Sequence, residues 1–122
     1  MTLNERIIAV VTPIVPVCVP DLLVTEEGET PPERYCTFNY TELPDGLGDN
    51  CAALTRALVQ VHYFAPLRES TIKTRHALRD AIAAVDDFTL PSIENATDET
   101  GQHYVLEFDA VGRWKVEDDG QS

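Results

Sequence analysis

The sequence predicts a single α+β domain, an antiparallel β-sheet with two α-helices packed on one face. Three observations carry that expectation. Residues 34–43, 54–64 and 102–116 alternate β-branched or aromatic side chains with polar ones, the period-two signature of strands with one buried face. Stretches after Thr2 and after Ser70 instead place apolar residues at helical spacing. The order is helix, strands, helix, hairpin, without the strand–helix–strand alternation of a parallel sheet, so helices and sheet form separate layers.

Thr2-Leu-Asn-Glu5 has the capping-box pattern, in which Thr2 bonds the Glu5 amide and Glu5 reaches back. Leu3, Ile7, Ile8 and Val11 follow on one helical stripe, and Pro13 ends it. Residues 14–19 are extended but interrupted by proline, which removes a ladder donor and restricts them to a sheet edge. Residues 25–33 hold no large apolar side chain and read as a loop.

Strand 34–43 should turn Cys36, Phe38 and Tyr40 to one face and Thr37, Asn39 and Thr41 to the other. Residues 44–50, rich in turn formers, make a second loop. In strand 54–64, Ala57, Val59, Val61 and Tyr63 share a face, while Arg56, Gln60 and His62 share the opposite one. Ser70 is the expected N-cap of a helix running to about Asp86, with Ala77, Leu78, Ala81, Ile82 and Val85 as its stripe. A short strand over 88–97 and a turn at 98–101 lead into strand 102–116, a hairpin with Tyr104, Leu106 and Phe108 inward. Residues 117–122 are an acidic tail expected to fray.

Composition bounds the function classes. A hydrophobic content of 43% with 25% charged residues belongs to a globular chain, and 122 residues suffice for one modest core. The formal net charge of −12 opposes binding to the phosphate backbone of nucleic acids and to anionic membranes. No apolar run reaches the length of a membrane span, and the chain reads as cytosolic. Cys18, Cys36 and Cys51 lack paired spacing, so reduced and mostly buried thiols are expected rather than a disulfide framework.

Motifs for chemistry are sparse. No phosphate-binding glycine loop or nucleophile elbow occurs. His62 and His103 lie on strands that can be neighbours, and with Cys36 or Glu107 nearby they offer a weak case for a metal. The expectation is no catalytic, cofactor-binding or metal-binding residue. Arg68, Lys73, Arg75 and Arg79 concentrate positive charge on an acidic molecule, with Glu26, Glu27 and Glu29 as the opposing patch. These seven are the candidate protein-interface residues, set against the plainer reading of a solvated surface.

The segments Pro13-Ile-Val-Pro-Val-Cys-Val-Pro20, Thr37-Phe-Asn-Tyr-Thr-Glu-Leu-Pro44, Gln60-Val-His-Tyr-Phe-Ala-Pro-Leu67 and Asp98-Glu-Thr-Gly-Gln-His-Tyr-Val-Leu-Glu-Phe108 carry a specific likeness. In this order, behind the capped helix, they resemble small tail-component proteins of long-tailed phages and prophages, of the tail-terminator (tail-completion) type. The resemblance implies a structural protein without cofactor or reaction. It implies a homo-oligomeric ring, a hexamer, that caps the head-proximal end of the tail tube, ends polymerisation and joins the tail to the neck. The implied partners are other copies of the chain, the major tail tube protein and a neck or head-completion protein. The implied locations are the host cytoplasm during assembly and then the virion tail. Other readings stay open at this stage: a head–tail connector or stopper, an acidic host-directed binding module, and a small metal-dependent enzyme.

Overall fold

The structure, a computed structural model, describes residues 2–45 and 54–112. Its elements are α1 (Leu3–Val11), β1 (Cys18–Pro20), β2 (Tyr35–Asp45), β3 (Leu54–Ala65), α2 (Ile72–Ala83), β4 (Ser92–Asn95) and β5 (Gln102–Gly112). This is an α+β domain with a five-stranded sheet in the order β1-β2-β3-β5-β4. After β3 the chain passes through α2 to the far edge, then returns so that β5 fills the place beside β3.

The sheet is mixed rather than wholly antiparallel, because β1 pairs parallel to β2, with Cys18 opposite Cys36. Of the extended 14–19 region only Cys18 and Val19 enter a strand, Cys18–Pro20, which lies at the edge, where its proline removes no donor needed inside the sheet. Asp21 then adopts φ 62°, and the Leu22 amide donates to the Pro20 carbonyl at 2.8 Å. This γ-turn, tolerable for an aspartate, reverses the chain sharply after β1.

Helix α1 starts as expected. The Glu5 amide donates to the Thr2 hydroxyl at 3.1 Å, and the Thr2 amide donates to the Glu5 carboxylate at 2.8 Å. Helix α2 differs from expectation at both ends. Its N-cap is Thr71, not Ser70, without a side-chain capping bond. The Thr71 hydroxyl is buried and donates instead to Gln102 Oε1 at 2.9 Å, so tertiary bonding takes the side chain that would have capped the helix. The helix ends at Ala83, short of Asp86, where a turn takes Asp87 to φ 79°. Of the expected stripe, Leu78 and Ile82 are buried, Ala81 and Val85 half-buried, and Ala77 exposed.

The strand expected over 88–97 shortens to Ser92–Asn95, with Phe88 held separately by a bridge to Ala110. Strand β2 runs on through Pro44 and Asp45, opposite Thr55 and Leu54, where a loop was expected. The end of the expected strand 102–116 and the tail at 117–122 lie outside the described residues, as does most of the 44–50 loop.

Side-chain parity follows the alternation in the sequence. Cys36, Phe38, Ala57, Val59, Val61, Tyr63, Tyr104, Leu106, Phe108 and Ala110 join Leu3, Ile7, Val11, Leu78 and Ile82 in one buried cluster. Each fully buried aliphatic or aromatic side chain there contributes about 1.5–3 kcal/mol of transfer free energy. The opposite parity of the central strands forms a second, more open face.

Candidate functional site

On that open face, register brings Tyr35, Phe64 and His103 into one row across β2, β3 and β5. Tyr35 and Phe64 stack with ring centroids 4.7 Å apart, and Phe64 and His103 at 4.4 Å. His62 lies one row away on β3, diagonal to His103, and the two rings meet with Nδ1 of His62 at 2.8 Å from Nε2 of His103. Asn39 Nδ2 lies 3.4 Å from the other ring nitrogen of His62. The next rows are closed by polar pairs: Gln60 donates to Glu107 at 3.3 Å, and Arg56 to Asp109 at 3.0 Å.

Two cavities flank this cluster. One of about 350 Å³ lies over Tyr35, Phe64 and His103, with Glu33 and Asp98 in its wall. Another of about 330 Å³ is bounded by His62, Phe64, Tyr35 and the segment Asp21–Leu23. The turn at Asp21 delivers that segment, whose Leu22 is 71% exposed, with Val24 just beyond it 77% exposed. The face thus offers aromatic rings, a histidine pair and unburied aliphatic groups in one neighbourhood.

Both histidines are held below their ordinary pKa: His62 by burial and then by the neighbouring ring, His103 by burial, with Asp98 pulling the other way. The neutral pair is therefore favoured near pH 7. Among the described residues, no group of three or more His, Cys, Asp or Glu side chains converges on a point that would hold a metal ion. Cys36 lies on the opposite, buried parity, and Glu107 is engaged by Gln60. Cys18 and Cys36 are buried free thiols; desolvation pushes Cys18 up to about 11 and raises Cys36 further.

The structure divides the four basic interface candidates. Arg68 and Lys73 are exposed. Arg75 is half-buried, its guanidinium 4.1 Å from the Tyr104 ring centroid and its Nε donating to the Thr71 hydroxyl at 3.1 Å. Arg79 donates to Asp80 at 3.0 Å. At 3.6 residues per turn, Arg75 and Arg79 share a side of α2, whereas Lys73 lies roughly 160° around from Arg75. The four cations therefore do not make one open basic face.

Glu26, Glu27 and Glu29 are exposed in a tight turn, where the Glu29 amide donates to the Glu26 carbonyl at 3.0 Å and Gly28 supplies the required φ of 89°. The end of this acidic loop is fastened by Arg34, whose guanidinium makes two bonds to the Glu69 carboxylate. That charge-assisted fork raises the Arg34 pKa and lowers that of Glu69, consistent directions for the two partners. Gln102 Nε2 donates to the Pro66 and Glu69 carbonyls, both at 2.7 Å, and so pins the turn bearing Arg68. Arg68 sits next in sequence to Glu69, the residue to which the end of the acidic loop is fastened.

The sequence did not single out Tyr35, Phe64 and Asn39. Period-two parity puts all three opposite the core residues of their strands, but only the register joins them to the histidines. No protein-family model matches this chain, and no curated protein matches it in sequence.

Proposed function

We propose that this chain is a structural assembly protein of the tail-terminator type, forming a ring that caps the head-proximal end of a phage tail tube. The observation that carries this reading is the ordered set of four framework segments, which fall on β1, β2, β3 and β5, together with the turn before β5. Those strands set the shape of the sheet, so likeness in them is likeness in the scaffold on which a ring would be built. The activity required is interface formation, which the exposed side chains support. Leu22, Val24, Leu67, Ile72 and Leu90 are each more than half exposed, giving apolar area for a partner to cover. Arg68 and Lys73 supply exposed cations, and Glu26, Glu27 and Glu29 exposed carboxylates, on a molecule of net charge −12. Opposite patches then set the register of like-charged copies, while apolar contacts supply most of the affinity.

Size-exclusion light scattering and negative-stain imaging test the reading directly. The wild-type chain, alone or on tail tubes, is expected to give rings of six copies. Arg68→Glu with Lys73→Glu is expected to stay folded and not to close rings. These two positions are the informative ones, because Arg75 and Arg79 already have partners within the monomer. Rings of normal yield from the double variant remove the cations from the contact. A wild-type chain that remains monomeric both alone and with tubes overturns the reading itself.

A further inference from the structure

The His62–His103 contact has the geometry of a shared proton. Two ring nitrogens at 2.8 Å require a hydrogen between them, so one imidazole donates and the other accepts. The ring centroids are 5.1 Å apart, so the rings point at one another nearly end to end. A chelated cation would instead need both lone pairs to converge on a third point.

We propose that this histidine pair is a pH-operated latch across the open face of the sheet, closed while the pair carries at most one added proton and open when both rings are charged. The neutral pair and the singly protonated pair can both keep an N–H···N link, because each leaves one ring nitrogen free to accept. A second proton has to occupy the nitrogen that accepts the link, and it places two like charges on adjacent rings. The link is then lost and the rings separate.

The surroundings decide where the protons go. On β2, Asn39 faces His62 and can present either its amide nitrogen or, flipped, its oxygen. On β3 the neighbours are Gln60 and Phe64, neither of them charged. On β5, Glu107 is bonded to Gln60 one row away. From the β4 side come Glu94, opposite Val105, and Asp98, whose charge favours a proton on His103. Asp21 lines the cavity beside both rings, and Glu33 lines the one beside His103. Charged imidazoles released from the link therefore meet carboxylates in the cavity walls, so opening reshapes both cavities. This inference does not depend on the assembly role proposed above.

Nuclear magnetic resonance of the ¹⁵N-labelled full chain tests the latch. At pH 8 a nitrogen–nitrogen coupling through the hydrogen bond is expected between Nδ1 of His62 and Nε2 of His103. As pH falls, both rings are expected to report two shared, separate steps, and the coupling should vanish at the lower step while β3 and β5 amides remain dispersed. In His103→Gln, His62 is expected to titrate in one step, at higher pH than the lower wild-type step. The proposal is overturned by absence of the coupling at pH 8, or by independent single steps unaffected by substitution of the other ring. A coupling that survives until the whole protein unfolds overturns it as well. The coupling needs no substitution, so the test does not rest on a variant folding.

Discussion

Truncation of Phe108 to alanine probes the packing that positions every other feature. Phe108 is 3% exposed at the centre of β5, opposite Val59, with its ring 5.0 Å from the Phe88 ring. Phe88 in turn carries the Arg6 guanidinium 5.2 Å from its centroid, so the loss propagates towards α1. Removing a buried phenylalanine side chain costs about 3–5 kcal/mol. Of this, about 0.5–1.5 kcal/mol belongs to the ring pair beyond its buried area. With an unfolding entropy of roughly 2.1 cal/mol/K per residue over the chain, Tm should fall by ~12–20 °C. Differential scanning calorimetry and urea unfolding followed by circular dichroism read this directly. A cycle with Phe88→Ala should show coupling, since the two rings are in contact. Val105→Ala, on the half-exposed parity of the same strand, is expected to cost less than half as much. Phe108→Ala with an unchanged Tm, or Val105→Ala as the costlier change, would refute the assignment of faces.

Further outcomes are expected from the same structure. Thr2→Ala removes one arm of the α1 capping box and should cost about 1 kcal/mol in thermal unfolding. Arg75→Ala should cost about 1–2 kcal/mol through loss of its contacts with Tyr104 and Thr71, whereas Lys73→Ala should leave Tm nearly unchanged. In a Cys51→Ser background, Cys18 and Cys36 should resist a thiol reagent in the native state and react on unfolding, because burial raises both pKa values. His62 and His103 bind protons less readily folded than unfolded, so stability should fall as pH drops below the ordinary histidine value. His62→Gln with His103→Gln should flatten the Tm profile between pH 7 and 5. The lowered pKa values of Glu69 and Asp98 add a separate loss at still lower pH, as those carboxylates become protonated.

Local chemistry made much of the fold legible, and its limits are equally local. The capping box of α1 and the parity of Phe38, Val61 and Phe108 depend on residues a few positions apart, and the structure has both as the sequence predicts. Strand direction depends on the whole chain path, so the parallel pairing of β1 was not visible in a proline-broken segment. Ser70 looked like the better N-cap because capping preference takes no account of Gln102, which draws the Thr71 hydroxyl into the core. Lys73, Arg75 and Arg79 share a charge and a helix, but helical geometry and the Tyr104 ring separate them. The histidine contact was readable as two polar-face residues on possible neighbours. Its ring-to-ring geometry needed the β3–β5 register, which sets His62 beside Val105 and His103 beside Phe64.

Tail length in an assembly reaction tests the proposed role most directly. Under that role, the tail-tube protein it would cap is polymerised with and without this chain, and the products are imaged by negative stain. With the chain present, the result expected is tubes of uniform length bearing a six-fold ring at one end; without it, tubes of uncontrolled length. Length distributions that do not change on adding the folded chain, with no ring at either end, would contradict a terminator role.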